Sequence, residues 1–261
     1  MEHATACVHN RNNPFIAEMV FFILQHVIFL LATWLLCTTS LKTGYGRGLL
    51  LLPVLISLTG VEQAVPMLAV AQLAAALPHV RSGLPAVNWR HVGWFLLGAA
   101  PCCVAGALVF VVLPQEYAAR LAGAVLLLSV LIRHFDVGTA AAMKSHRVGC
   151  GIVAGTTSGT VGTTAGLHMR SFQTHHLPPA SLLAAFALSG AIMHSLKMMV
   201  YQRFIELDWR FWRLAAIVAA AMLLASWRGI VHESASPGFR RTVETGIIIA
   251  AAYLLVHGTA P

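Results

Sequence analysis

Gly44-Tyr-Gly-Arg-Gly-Leu-Leu-Leu-Leu-Pro53 is the stretch on which the fold turns. It follows an apolar run, 16–37, long enough to cross a bilayer, and it opens a second apolar piece, 49–58, of only ten residues. A span needs roughly 20 apolar residues, so this piece cannot cross. It ends at Gly60-Val-Glu-Gln63, beyond which apolar residues resume over 64–80. In lipid every backbone N–H and C=O needs a partner, so a broken chain at membrane depth survives only where protein or water satisfies it. The pieces around 44–48 therefore predict a broken or re-entrant helix.

The same order of events returns later. The apolar stretch 148–165 is interrupted by Thr156-Thr-Ser-Gly-Thr-Val-Gly-Thr-Thr164, and a short piece, 167–177, leads to Pro178-Pro179. Gly44, Gly46 and Gly48 fall on Thr160, Gly162 and Thr164 at a constant offset, and Ala64 falls on Ala180. Asn88-Trp89-Arg90 recurs as Asp208-Trp209-Arg210, and Pro114 with Gly123 recurs as Pro237 with Gly246. Matches that keep their order point to internal duplication, a signature of secondary transporters. With the ordinary spans 92–113, 118–132, 180–201, 211–227 and 242–257, the chain reads as an all-α polytopic membrane protein. It has about eight transmembrane elements in two homologous repeats with broken or re-entrant helices. The divisions are a polar N-terminal tail, 1–14, a first transmembrane repeat, 15–135, an inter-repeat loop, 136–147, and a second repeat, 148–258. Lys and Arg are nearly balanced between alternate loops, so charge sets neither the orientation nor whether the repeats are inverted or parallel. Oligomeric state is equally unmarked.

Composition agrees. Of 261 residues 58% are apolar and 10% charged, against about 25% charged in a soluble domain. A soluble chain of this kind would expose large apolar patches, and a bilayer covers them. The net charge of +8 comes without a basic run, which speaks against nucleic acid and for loop charges of membrane topogenesis, with a second role in attracting an anion. The five cysteines, Cys7, Cys37, Cys102, Cys103 and Cys150, form no disulfide framework and read as small buried hydrophobes. The run 15–37 is too long for the core of a cleaved signal, and no Ala-x-Ala site follows it.

Paired helix breaks in two repeats point to a substrate site. A half-helix starting at a break aims unpaired N–H groups and a positive dipole end into the cavity, which suits an anion. Candidate substrate-binding residues at the breaks are Gly44, Gly46, Arg47 and Gly48 in the first, and Ser158, Gly159, Gly162, Thr163 and Thr164 in the second. Arg47 could clamp a sulfonate or carboxylate through two parallel N–H bonds. The competing reading is that the small residues simply let helices pack closely. Over 180–201, Gly190, His194, Lys197 and Tyr201 share one helix face. His194 and Lys197 are candidate anion contacts, His194 also a carrier of a coupling proton, and Gln72 is the candidate on the equivalent helix of the first half.

A transition-metal transporter is the alternative, resting on His168, Met169, His175, His176 and the pair Cys102-Cys103. Their spacing matches no tight ligand motif, and no metal or cofactor is expected. An intramembrane enzyme would need a carboxylate pair, a Ser-His pair or a His-rich motif within the spans, and none stands at motif spacing.

The pattern Gly44-x-Gly46-x-Gly48-Leu-Leu-Leu-Leu-Pro53, the Gly60 turn and the Ala-rich helix after it resemble the TauE/SafE family of sulfite and organosulfonate exporters. Gly159-x-x-Gly162 through Pro178-Pro-Ala180, and the two Trp-Arg loops, are similar to the same pattern in its repeat. The family usually reads Gly-x-Gly-Gly-Gly, where this chain has Arg47 at the fourth place and Thr163-Thr164 in the second copy. The resemblance covers about residues 20–257. It implies a non-enzymatic exporter of a small anion such as sulfite, a sulfonate or an organic acid, bound between the repeats, with protons as the coupling ion. The location it implies is the bacterial inner (plasma) membrane.

Overall fold

A computed structural model describes residues 14–43, 48–134, 147–164, 168, 172, 178–227 and 236–258. Among these residues the chain is all helical. Helix α1 is Pro14–Thr43, α2 Leu51–Thr59, α3 Val61–Gly83, α4 Trp89–Val112 and α5 Gln115–His134. In the second half α6 is Arg147–Val161, α7 Pro179–Phe204, α8 Trp209–Trp227 and α9 Pro237–His257.

The recurring sequence signals act as helix starts. Asn88 accepts a bond from the backbone N–H of His91 (3.2 Å) and Asp208 one from that of Phe211 (2.7 Å), so the two Trp-Arg tripeptides begin α4 and α8 with equivalent N-caps. Trp89 and Trp209, just inside those caps, are exposed, as befits rings at a membrane–water boundary. Between α2 and α3, Gly60 has φ 76° and ψ 162°, a backbone region essentially reserved for glycine. No atom stands near its missing side chain, so conformation rather than packing demands the glycine.

Among the described residues five helices are long and apolar enough to cross a bilayer, over Val61–Ala86, Trp89–Val112, Gln115–Ile132, Ala180–Phe204 and Trp209–Ser226. The count falls below the expected eight for identifiable reasons. At 1.5 Å per residue, α2 is about 13 Å long and α6 about 22 Å, both short of a bilayer core of about 30 Å. Helix α9 has the length but carries Arg240, Arg241 and Glu244 in its first turns, and α1 contributes the apolar stretch His26–Thr39.

Contacts fix the helix directions. Gly83, ending α3, meets Ala184 near the start of α7, while Val65 and Leu68 near the start of α3 meet Gly162, which Lys197 of α7 also contacts. Helices α3 and α7 therefore run antiparallel. So do α5 and α9: Gly258, after α9, meets Glu116 at the start of α5, and Gly123 of α5 meets Ala251 and Leu254. Helices α4 and α6 are parallel, because Gly98 faces Val148 and Ile152 while Gly106 faces Thr156 and Thr160. Helix α4 also runs with α7, since Phe95 and Phe186 flank His168 and Cys103 lies further along at Met193. Consecutive helices α6 and α7 thus point the same way.

The α4–α6 contact is a backbone-to-backbone zipper. Gly151, Gly155 and Gly159, four residues apart, lie on the carbonyls of Phe95, Ala99 and Cys103, where a Cβ would collide. Small residues at this spacing let membrane helices approach closely.

Candidate functional site

The second break falls towards the end of the threonine-rich run. Helix α6 continues through Val161 and ends at Gly162, whose φ is +80°. The hydroxyls of Thr156, Thr157 and Thr160 donate to the carbonyls of Ile152, Val153 and Thr156 (2.8–2.9 Å). That back-bonding satisfies them within the helix, which runs on past them.

Lys197 dominates the break. Its side chain is fully buried (0% exposed), and Nζ donates to Ser158 O, Ser158 Oγ and Gly162 O, each at 3.2 Å. One turn on, Tyr201 Oη donates to Gly159 O at 2.5 Å. The last carbonyls of a helix lack intrahelical partners and form its negative dipole end. A cation and a phenol from α7 thus cap the end of α6. Three acceptors for three N–H bonds suit an ammonium, yet among the described residues no carboxylate partners it.

One turn before Lys197, the ring of His194 leans back over Gly190, its Nε2 3.8 Å from where a Cβ would stand. His194 Nδ1 is buried and unpartnered among the described residues. His168 Cε1 is 3.6 Å from the same point on Gly190. Its Nε2 lies 2.7 Å from Ser189 Oγ, which bonds Ala185 O (2.6 Å). The ring of His168 stacks on Phe95 (centroids 4.8 Å apart) and packs on Phe172 and Phe186. The side chain is thereby absorbed in an aromatic pocket. Among the described residues no group of three His, Cys, Asp or Glu could hold a metal ion, which disfavours the metal alternative. Met169, His175 and His176 lie outside the described residues.

The first break reaches the same place from the other side. Gly48 packs on α3, where a Cβ would strike the Gln72 amide and lie 3.3 Å from Leu68 Cδ2. The same Leu68 atom is 3.6 Å from the corresponding point on Gly162. Gly48, Gln72 and Gly162 therefore converge on one turn of α3. Gly44, Gly46 and Arg47 lie outside the described residues. Thr163 is buried beside the break and Thr164 is half-buried, while Gly159 serves both the zipper and the Tyr201 bond.

Two neighbours join the site in ways the residues alone did not suggest. Cys103, half of the pair considered for a metal, is buried against Lys197 and Ser158, with Sγ 3.5 Å from Met193 O, and a thiol in an apolar helix gives no warning of this. Ser189 likewise reads as a packing residue until its bond to His168 is seen.

This architecture is that of a polytopic α-helical membrane protein with a buried cationic centre at a helix break. The family model for the sulfite exporter TauE/SafE matches residues 29–254, and the chain belongs to that family. Its members form a transporter family of membrane exporters. Searches of curated proteins and of solved structures give no match.

Proposed function

We propose that the protein exports a small anion, such as sulfite, a sulfonate or an organic acid, by alternating access across a plasma membrane of bacterial type. The carrying observation is the buried Lys197 ammonium, held among the described residues by neutral oxygens alone, one turn from His194 Nδ1, which has no partner among them. A buried cation without a counter-charge is costly, and an anion bridging Lys197 and His194 neutralises it through charge-assisted bonds. Ser158, Gly162, Thr163 and Thr164 line one side of this site and Gly48 and Gln72 the other. Arg47, with Gly44 and Gly46, brings the second cation from the first break. A proton on His194 is the coupling partner.

Two inverted repeats frame the site. Exchanging α1 with α6, α3 with α7, α4 with α8 and α5 with α9 maps each principal contact onto another: α4 on α7 becomes α8 on α3, and α4 on α6 becomes α8 on α1. The antiparallel pairs α3/α7 and α5/α9 support an axis in the membrane plane. In the second repeat α6 stops at the Gly162 break and α7 runs in the same direction as α6, which supports a re-entrant element there. Helices α1 and α2 play that part in the first.

The test is uptake of sulfite, small sulfonates and carboxylates into proteoliposomes by the wild type, Arg47→Ala and Lys197→Met. Wild-type uptake above that of empty vesicles, weakened in Lys197→Met at low anion concentration, is expected. Uptake equal to that of empty vesicles across the whole panel rules the reading out.

A further inference from the structure

Lys197 has no donor to spare. Its three N–H bonds go to Ser158 O, Ser158 Oγ and Gly162 O. An anion that binds it must therefore displace at least one of these oxygens, all of which belong to the tip of α6. The zipper fixes that helix to α4 as far as Gly159, whose carbonyl also takes the Tyr201 bond from α7, and beyond it Lys197 holds Gly162 O.

We infer that the α6 tip competes with the anion for Lys197, and that Tyr201 is the positioning residue that keeps the tip in place, through Gly159 O, when Lys197 turns to the anion. This rests on the anion-transport reading above and adds which residues oppose binding and which one preserves the site while it is occupied. Ser158 then acts against the anion rather than as its ligand. The ligand chemistry is a small oxyanion able to accept from an ammonium and from His194.

Substrate kinetics in proteoliposomes distinguish the alternatives, with methanesulfonate as probe. Ser158→Ala removes one competing acceptor and is expected to lower KM roughly fivefold, about the worth of one net hydrogen bond. If Ser158 were a direct ligand, KM would rise instead, and that result overturns the inference. Tyr201→Phe is expected to raise KM roughly tenfold with the maximal rate per folded protein within about twofold, consistent with losing one buried bond. A fall in maximal rate at unchanged KM would reduce Tyr201 to a structural residue. Hydrogen exchange of the 158–164 segment gives a second readout: methanesulfonate speeds it roughly fivefold in the wild type, and exchange unaltered by a transported anion also sinks the proposal. Ser158→Gly serves if the alanine variant misfolds. No uptake of any anion by the wild type removes both readings together, whereas uptake with the opposite KM sign removes only this one.

Discussion

Replacing Lys197 by methionine keeps most of the side-chain volume and removes the charge and three bonds. Hydrogen bonds to charged groups are worth about 1.5–3 kcal/mol, so the expected cost is a roughly 10- to 100-fold rise in KM for the anion, measured in proteoliposomes with protein that elutes as a single species. His194→Gln keeps a polar group of similar reach and should retain binding while flattening the dependence of uptake on an imposed pH gradient. An unchanged gradient dependence would remove His194 as the proton carrier. The stripe of Gly190, His194, Lys197 and Tyr201 was legible because four residues at helical spacing must share a face, and the structure has them meet His168 and the end of α6. What Lys197 touches was not legible. Two of its three partners are backbone oxygens, present at every residue, so nothing in the sequence distinguishes those of Ser158 and Gly162.

At the scale of the element, the break in α6 is a matter of one residue. Gly162 takes φ +80°, and a Cβ there would stand 3.2 Å from Val65 Cγ1. Left-handed backbone costs a non-glycine residue about 1–2 kcal/mol, so Gly162→Ala should lower thermal stability by that amount, with any repacking of Val65 added. The threonine-rich run marks the region of the break but not its residue, because inside a helix its hydroxyls turn back on the preceding turn. Asn88 and Asp208 were legible as a repeated pair, and their capping bonds give the pair a physical reason. Asn88→Ala and Asp208→Ala should each destabilise by about 1 kcal/mol, read as similar drops in melting temperature. In the zipper, Gly155→Leu would drive a side chain into the Ala99 carbonyl. The expected result is loss of folded, monodisperse protein rather than a change in anion preference.

For the whole molecule, membrane insertion follows from composition alone, and ordered sequence matches are the ground for proposing a duplication. They leave its sense open, because loop charge is balanced and the short pieces around each break can be counted as crossing or returning. The helix directions, α3 against α7 and α5 against α9, favour the inverted arrangement proposed above. Trp89 and Trp209 occupy the same place in the two halves, so inverted repeats put them on opposite membrane faces. Single cysteines at these positions, with the native cysteines removed, should react with an impermeant thiol reagent from opposite sides of oriented vesicles. Labelling of both from one side would make the repeats parallel.

Among the described residues only one of the two corresponding seams is a glycine zipper. Helix α6 carries Gly151, Gly155 and Gly159 against α4, whereas α1, its proposed counterpart beside α8, contains no glycine at all. In a carrier whose two access states arise by exchanging the conformations of its halves, a lock built into one seam sets the two states at unequal energies. The empty protein would then dwell facing one compartment, and its cargo would have to supply the difference to turn it around. A duplicated gene pair need not make a reversible pump; divergence of one seam is enough to give it a resting direction.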